Sequence, residues 1–327
     1  MGRLTVCVAM CTYNGERFLA QQLESIASQS RKPDAMIVSD DGSSDSTPRM
    51  VESFARRAGF PVDLILNEQN LGFIGNFEQA IRACEGDIIV LSDQDDEWLP
   101  HRLEKIESAF LAAPGLGLVF SDAHLVDEDG RPLGARLWEA VGFTPREQRR
   151  FASGAGFEVL VRHNVVHGTT MALAARYRET ALPIPDLRGV TGHDGWISLM
   201  IAAAAPVSII AEPLVKYRQH GGNIIGARDA SMVEKQQIAL RNWREFYAIQ
   251  LLLFEDAHAR LSGLSSVPER NLRILSEKIC HVKHRTSLRH VSRPRRVWPV
   301  LRELASGGYG RFSKGILSAG LDLVARG

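Results

Sequence analysis

The chain has 327 residues, 45% of them hydrophobic, which is enough for one large core or two domains. Lysine and arginine number 39 against 38 aspartates and glutamates, and a net charge of +1 argues neither for nucleic acid nor for an acidic partner. Aromatic residues make up 7%, and there is no low-complexity tract or internal repeat.

Leu4–Met10 is a short apolar run that predicts a strand, and Phe18, Leu19, Leu23, Ile26 and Ala27 recur behind it at helical spacing. Ala35–Val38 predicts a second strand, followed by an N-cap at Ser46 and a helix face of Met50, Val51 and Phe54. Val62–Leu66 predicts a third strand, and Phe73, Phe77, Ala80 and Ile81 a third helix. Ile88–Leu91 predicts a fourth strand, Leu103, Ile106 and Phe110 a fourth helix, and Leu116–Phe120 a fifth strand. Such alternation with continuously apolar strands predicts a parallel sheet covered on both faces, with ligands bound beyond the carboxyl ends of its strands. The polar loops Thr12-Tyr13-Asn14, Asp40-Asp41-Gly42, Asn67–Gly72 and Asp93–Asp96 should then open on one edge.

Beyond residue 120 the pattern changes. Leu125 to Gly130 predicts a strand entering a hairpin turn at Asp129-Gly130. Leu137 to Phe157 has weak periodicity and is expected to be a mobile or acceptor-side segment. Val165–Leu173, a Trp196–Ala205 helix and strands at Val207–Ile210 and Leu214–Tyr217 return to core-like patterns, so a mixed sheet with an antiparallel edge is expected. The most apolar long window, Trp196–Ile210, is interrupted by Pro206 and falls short of the roughly 20 residues that span a bilayer. Ile238, Trp243, Phe246, Ile249, Leu252 and Leu253 then predict a long amphipathic helix. From Pro268 onward, 13 Lys and Arg stand against 4 Asp and Glu. Leu4–Met10 is too short for a signal-peptide core. Cys7, Cys11, Cys84 and Cys280 form no CxxC pair and read as free thiols in a reducing compartment, so a cytoplasmic location is expected.

Asp93, Asp95 and Asp96 follow the fourth strand directly. A capped, solvated turn explains any one of them better than it explains three. Carboxylates this close repel unless a cation sits among them, and a hard divalent cation suits such oxygen donors and retained waters. A cation held there neutralises a diphosphate, with Asp95 as the first candidate for metal contact and Asp93 for a donor ribose or sugar. Asp40 and Asp41 are either turn caps or acceptors for the N–H of a nucleobase beside Thr12, Tyr13 and Asn14. Asn70 and Gly72 open a helix whose backbone amides can approach a phosphate or base, and a simple tight turn explains them equally well. Asp194, at a predicted helix start, is a cap or a general base, with His193 as the rival base. His220 is a candidate imidazole ligand, and Arg218 a candidate clamp for phosphate oxygens.

In this order, Val8–Asn14, Asp40–Asp45, Asn70-Leu71-Gly72, Ser92–Asp96, Gly168-Thr169, His193-Asp194 and Tyr217–His220 resemble the family 2 nucleotide-sugar glycosyltransferases, over roughly Leu4 to Gly226. The resemblance implies a GT-A fold, an α/β Rossmann-like mixed sheet with flanking helices, joined here by a C-terminal helical region. Residues 1–228 would form the catalytic domain, with a nucleotide-binding half at 1–120 and an acceptor half at 121–228, followed by a helical, basic region at 229–327. It implies Mn²⁺ or Mg²⁺ and an inverting displacement at the anomeric carbon. Asp93 and Asp95 would take the family's DxD positions, Asp194 the base, His220 the late metal or diphosphate histidine, Gly168 the loop facing the donor sugar, and Asp40 with Asp41 the nucleobase contact. His193 departs from the acidic residue many relatives carry before the base. The Gln-x-x-Arg-Trp pattern of processive synthases is absent, so single transfers are expected. The wording around Asp93 and His220 is most similar to rhamnosyltransferases of surface polysaccharide assembly, with dTDP-rhamnose as donor and a glycan or lipid-linked acceptor.

Three other functions compete. A sugar nucleotidyltransferase should carry a basic, glycine-rich phosphate loop where Thr12-Tyr13-Asn14-Gly15-Glu16 stands, and a dehydrogenase should carry GxGxxG there. A non-catalytic sugar-binding module needs neither Asp95 nor Asp194. The basic tail, with Arg293–Trp298 and apolar Ile316, Leu317, Leu321 and Leu323, either lies peripherally on an anionic membrane or packs on the catalytic domain or on a second subunit of a homodimer.

Overall fold

Both faces of the central strands are covered, which is why their sequences run apolar without alternation. The computed structural model describes residues 2–186, 190–221 and 243–324. All seven residues of β1 (Val6–Thr12) are buried. It pairs in parallel with β2 (Ala35–Asp40) and β4 (Ile88–Ser92), and β2 pairs in parallel with β3 (Val62–Leu66). Successive side chains of β1 point to opposite faces. Cys7, Ala9 and Cys11 join the core under α3 (Gly72–Ala83). Val6, Val8 and Met10 join the core under α1 (Leu19–Ala27), α2 (Thr47–Ala55) and α4 (Arg102–Ala112).

The remaining strands are β5 (Glu97–Trp98), β6 (Leu118–Val126), β7 (Pro132–Arg136), β8 (Met171–Ala174) and β9 (Val207–Arg218). The nine-stranded sheet runs β3-β2-β1-β4-β8-β6-β9-β5, with β7 beside β6. The expected mixed sheet is present, but antiparallel pairing is not confined to an edge. Antiparallel β8 lies inside the sheet between β4 and β6, while two-residue β5 closes the edge against β9. The expected hairpin at Asp129-Gly130 joins β6 to β7. The two strands expected between Val207 and Tyr217 are one strand, whose register against β6 shifts where Pro213 faces Asp122. A proline lacking its N–H is tolerated at such an irregularity.

The segment expected to be mobile or acceptor-side forms three helices, α5 (Leu137–Ala140), α6 (Pro145–Ala152) and α7 (Gly156–Arg162). Its apolar residues are aromatic and converge: Trp138, Phe143 and Phe151 lie 5.5–5.8 Å from Phe120, ring centre to ring centre. Thr144 and Glu147 form a reciprocal capping box at the start of α6. Between β8 and β9 lie α8 (Arg178–Ala181) and α9 (His193–Ala204).

The C-terminal region is helical, as expected: α10 (Trp243–Ser262), α11 (Glu269–Ser287), α12 (Arg293–Ala305), α13 (Gly308–Phe312) and α14 (Ile316–Val324). It packs on the sheet domain, α10 against α9 and α11 against α7. Part of its positive charge is internal. Lys278 donates to the Phe312 carbonyl (2.8 Å), and Arg285 forms a two-pronged pair with Asp322 (2.7 and 2.7 Å). Ile238 and the domain boundary expected at residues 228 and 229 lie outside the described residues. Among the described residues no helix is long and apolar enough to cross a membrane.

Candidate active site

The carboxyl ends of β1, β2 and β4 open on one cavity of about 390 Å³. Asp40, wholly buried, ties two of these ends together. It accepts the Thr12 hydroxyl (2.7 Å), the Ser43 N–H (2.8 Å) and the Ser43 hydroxyl (2.7 Å). Its neighbour Asp41 lines the cavity and accepts the Leu71 N–H (2.7 Å) and Asn67 Nδ2 (3.0 Å). Asn70 donates to the Asp41 carbonyl (3.1 Å) and accepts the Gly72 N–H (3.1 Å). Gly72 has φ +71°, a conformation that favours glycine. Tyr13 is 51% exposed at the cavity wall, and its backbone is clasped by Gln94, which accepts its N–H (2.9 Å) and donates to its carbonyl (3.1 Å).

Asp93 and Asp95 line the cavity, while Asp96 turns into the protein and accepts the Arg218 N–H (2.9 Å). Burial, then the charges of Asp95 and Asp96, hold the Asp93 carboxyl well above the usual range. Burial, then Asp95, push Asp96 up to about 7. The counter-charge is Arg102, fully buried at the start of α4 and stacked 4.4 Å over the Trp98 ring. Periodicity counts such a helix-start arginine as solvated, so nothing in the sequence marks it. His220 Nε2 lies 2.9 Å from Asp95 Oδ2, with the imidazole 4.8 Å from the Phe18 ring.

Four predicted contacts, Asn14, Asp40, Arg218 and His220, are not among the residues that line the cavity. Asp40 is occupied as described. Asn14, at φ +46°, donates its N–H to Ser43 Oγ (2.8 Å) and accepts from the Ser44 N–H (2.9 Å). Arg218 is 2% exposed and spends its guanidinium on the Asp95 carbonyl (2.8 Å), the Glu128 carbonyl (2.9 Å) and Gln21 Oε1 (2.7 Å). It is a strut under the acidic loop. A strand-end arginine reads the same in sequence whether it reaches out or folds back.

No group of three or more His, Cys, Asp or Glu side chains among the described residues is arranged to enclose a metal ion. Asp95 and His220 nonetheless make an adjacent carboxylate and imidazole pair. That donor set fits a cation that keeps several waters and takes its remaining ligands from a diphosphate.

Asp194 lines the same cavity from the first turn of α9. Its Oδ1 accepts the Gly195 N–H at 2.6 Å. Burial pushes its pKa up to about 6, against hydrogen bonds from the Gly195 and Gly168 N–H groups. His193 stacks on Phe77 at 4.0 Å, and burial, then His167, pull its pKa down to about 3. Asp194 is therefore the stronger base of the two. Phe73, Phe77, His167, Thr169 and Tyr217 also line the cavity. The sequence marks the two phenylalanines only as a helix face.

A Cβ on Gly168 would lie 2.3 Å from His193 Nε2, and the stacked ring cannot swing away freely. Gly168→Ala is therefore expected to cost about 1–3 kcal/mol, read as a lower denaturation midpoint. By displacing the loop that bonds Asp194 it should also lower turnover by about 10²-fold. Unchanged values on both counts would show that the loop yields without consequence.

Residues 7–160 match the family described as Glycosyl transferase family 2. A Bacillus subtilis protein named as the glycosyltransferase EpsE is 35% identical over 173 residues, covering 53% of this chain and 58% of that protein. TuaG of the same organism, named as a teichuronic acid biosynthesis glycosyltransferase, is 21% identical over 252 residues, covering 77% of this chain and 91% of that protein. The chain thus spans under three fifths of the length of the first curated relatives it matches. Among solved structures, Staphylococcus aureus TarS 1–349 with UDP-GlcNAc superposes with TM-score 0.58 at 16% identity, over 85% of this chain and 72% of that one. The mannosyltransferase PcManGT of Pyrobaculum calidifontis, with GDP-Man and Mn²⁺, superposes with TM-score 0.52 at 18% identity, over 99% of this chain and 81% of that one. Sheet order and these superpositions give a GT-A fold, and residues 7–160 carry the sequence match to glycosyltransferase family 2.

Proposed function

We propose that the chain is an inverting glycosyltransferase that moves a sugar from a nucleotide-diphosphate donor to a hydroxyl of a glycan or lipid-linked acceptor in surface polysaccharide synthesis. One observation carries the reading: Asp93, Asp95 and Asp194 share a cavity, with His220 2.9 Å from Asp95. The nucleotide lies along the ends of β1 and β2, where Tyr13 offers a face for the base and Thr12, Asp41, Asn70 and Gly72 surround it. Asn14, Asp40 and Arg218 support these groups from behind. Asp93 contacts the ribose or sugar, and the Gly168 loop faces the sugar. Asp95 and His220 hold Mn²⁺ or Mg²⁺, which when bound neutralises charge on the diphosphate.

Asp194 accepts the proton of the acceptor hydroxyl as that oxygen attacks the anomeric carbon, on the side opposite the diphosphate. The bond from the anomeric carbon to the diphosphate oxygen breaks with its electron pair, and the sugar's configuration inverts. The catalytic unit is residues 1–228, working in the cytoplasm with its C-terminal region, 229–327, in peripheral contact with the inner face of the membrane. UDP-GlcNAc in TarS, GDP-Man with Mn²⁺ in PcManGT and the polymer named for TuaG support the donor and product classes. dTDP-rhamnose is the first donor to try.

The full chain, incubated with Mn²⁺ and UDP-, dTDP- and GDP-sugars, should release nucleoside diphosphate from one of them. An added acceptor should receive the sugar with inverted anomeric configuration by NMR. Release of pyrophosphate would assign nucleotidyl transfer instead. Donor binding without any turnover would leave a sugar-binding module.

A further inference from the structure

α14 buries two polar side chains beside Ala319 and exposes three large apolar ones. Ser318 and Asp322 are buried, whereas Ile316, Leu317 and Val324 are 78%, 47% and 62% exposed. α12, packed against it, repeats the pattern: Arg296 is buried, while Val297, Trp298 and Leu301 are 46%, 75% and 49% exposed. These six side chains are more than half of the eleven large hydrophobic residues exposed among the described residues, and they fall within one short stretch of chain. Scattered single exposures need no explanation, but a concentration on two adjoining helices does.

The exposed charge of this stretch has one sign. Between residues 291 and 324 the exposed ionisable side chains are Arg293, Arg295, Arg302, Arg311 and Lys314, of which Arg311 pairs with Glu277. The two acids of the stretch are occupied: Glu303 lies 2.6 Å from His281, and Asp322 is buried against Arg285. A second copy of the chain is a poor occupant. A two-fold contact sets a patch against itself, here arginine facing arginine with no exposed carboxylate between them. An anionic bilayer satisfies both features, since apolar side chains and Trp298 enter the headgroup boundary while arginines meet lipid phosphates. No described helix can cross the membrane, so the contact lies in its plane.

We infer that the exposed face of α12 and α14 seats the protein on an anionic phospholipid bilayer. The inference gives a surface and a lipid class to the reading above that the enzyme works at a membrane. The full chain should co-sediment with phosphatidylcholine vesicles containing phosphatidylglycerol, and much less with phosphatidylcholine alone. Trp298→Ser with Ile316→Ser should weaken partition by about tenfold or more. Arg293→Ala with Arg295→Ala should remove the preference for anionic vesicles while leaving residual binding. Vesicle-free release of nucleoside diphosphate should be unchanged in both variants, since neither touches the cavity. Loss of that release in the unaltered chain would therefore count against the transferase reading alone. Equal recovery with both vesicle types, no recovery with either, or a dimer in solution that Trp298→Ser dissociates would each overturn the inference.

Discussion

Asp194→Asn is expected to lower turnover by about 10²–10⁴-fold while donor binding persists. The amide keeps the size of the carboxyl and can still accept the Gly195 N–H that now lies 2.6 Å from Oδ1, but it cannot take a proton at neutral pH. The pH dependence gives a second readout. A carboxyl raised to about 6 is protonated and idle below that value and ionised above it, so kcat/KM should climb with pH through about 6 and level off. His193 cannot supply this limb, because burial holds it neutral down to about 3. The limb should vanish in Asp194→Asn. Wild-type turnover in the variant, or the same limb retained, would remove Asp194 from the role. Calorimetric titration with nucleoside diphosphate separates a lost base from a collapsed site, since only collapse weakens binding.

Asp95→Ala should act on binding as well as on rate. It removes the carboxylate of the two-donor pair and leaves His220 its tilted contact with the Phe18 ring and its other contacts. Mn²⁺-dependent affinity for nucleoside diphosphate is expected to fall by about 10²-fold, at least as much as losing an outer partner of a metal ligand costs. Affinity measured in the presence of a chelator should hardly change. If the variant and the natural chain titrate alike in Mn²⁺, the pair does not hold the cation.

The parallel half of the fold was legible because β1, β2 and β4 show their double burial as apolar runs. These strands and the loops at their ends follow from that pattern. Asp95 and His220 could be suspected from their residue types, but 125 positions separate them, and only the β5–β9 pairing sets one beside the other. α6 should have been legible as well: Thr144-Pro145-Arg146-Glu147 spells a capping box, yet its apolar residues serve a converging aromatic cluster rather than a helical stripe.

Local chemistry determined the strand–helix alternation, the single polar edge and the identity of the acidic loop, since hydrophobic period and turn residues act over a few positions. Tertiary structure alone decided that β8 enters the middle of the sheet, that Arg218 and Asp40 face inward, and that buried Arg102 balances Asp93 and Asp96. It alone turned Ile316, Leu317 and Val324 of α14 outward. Each of these depends on which distant surface a side chain meets, and on whether a charge leaving water finds a partner there.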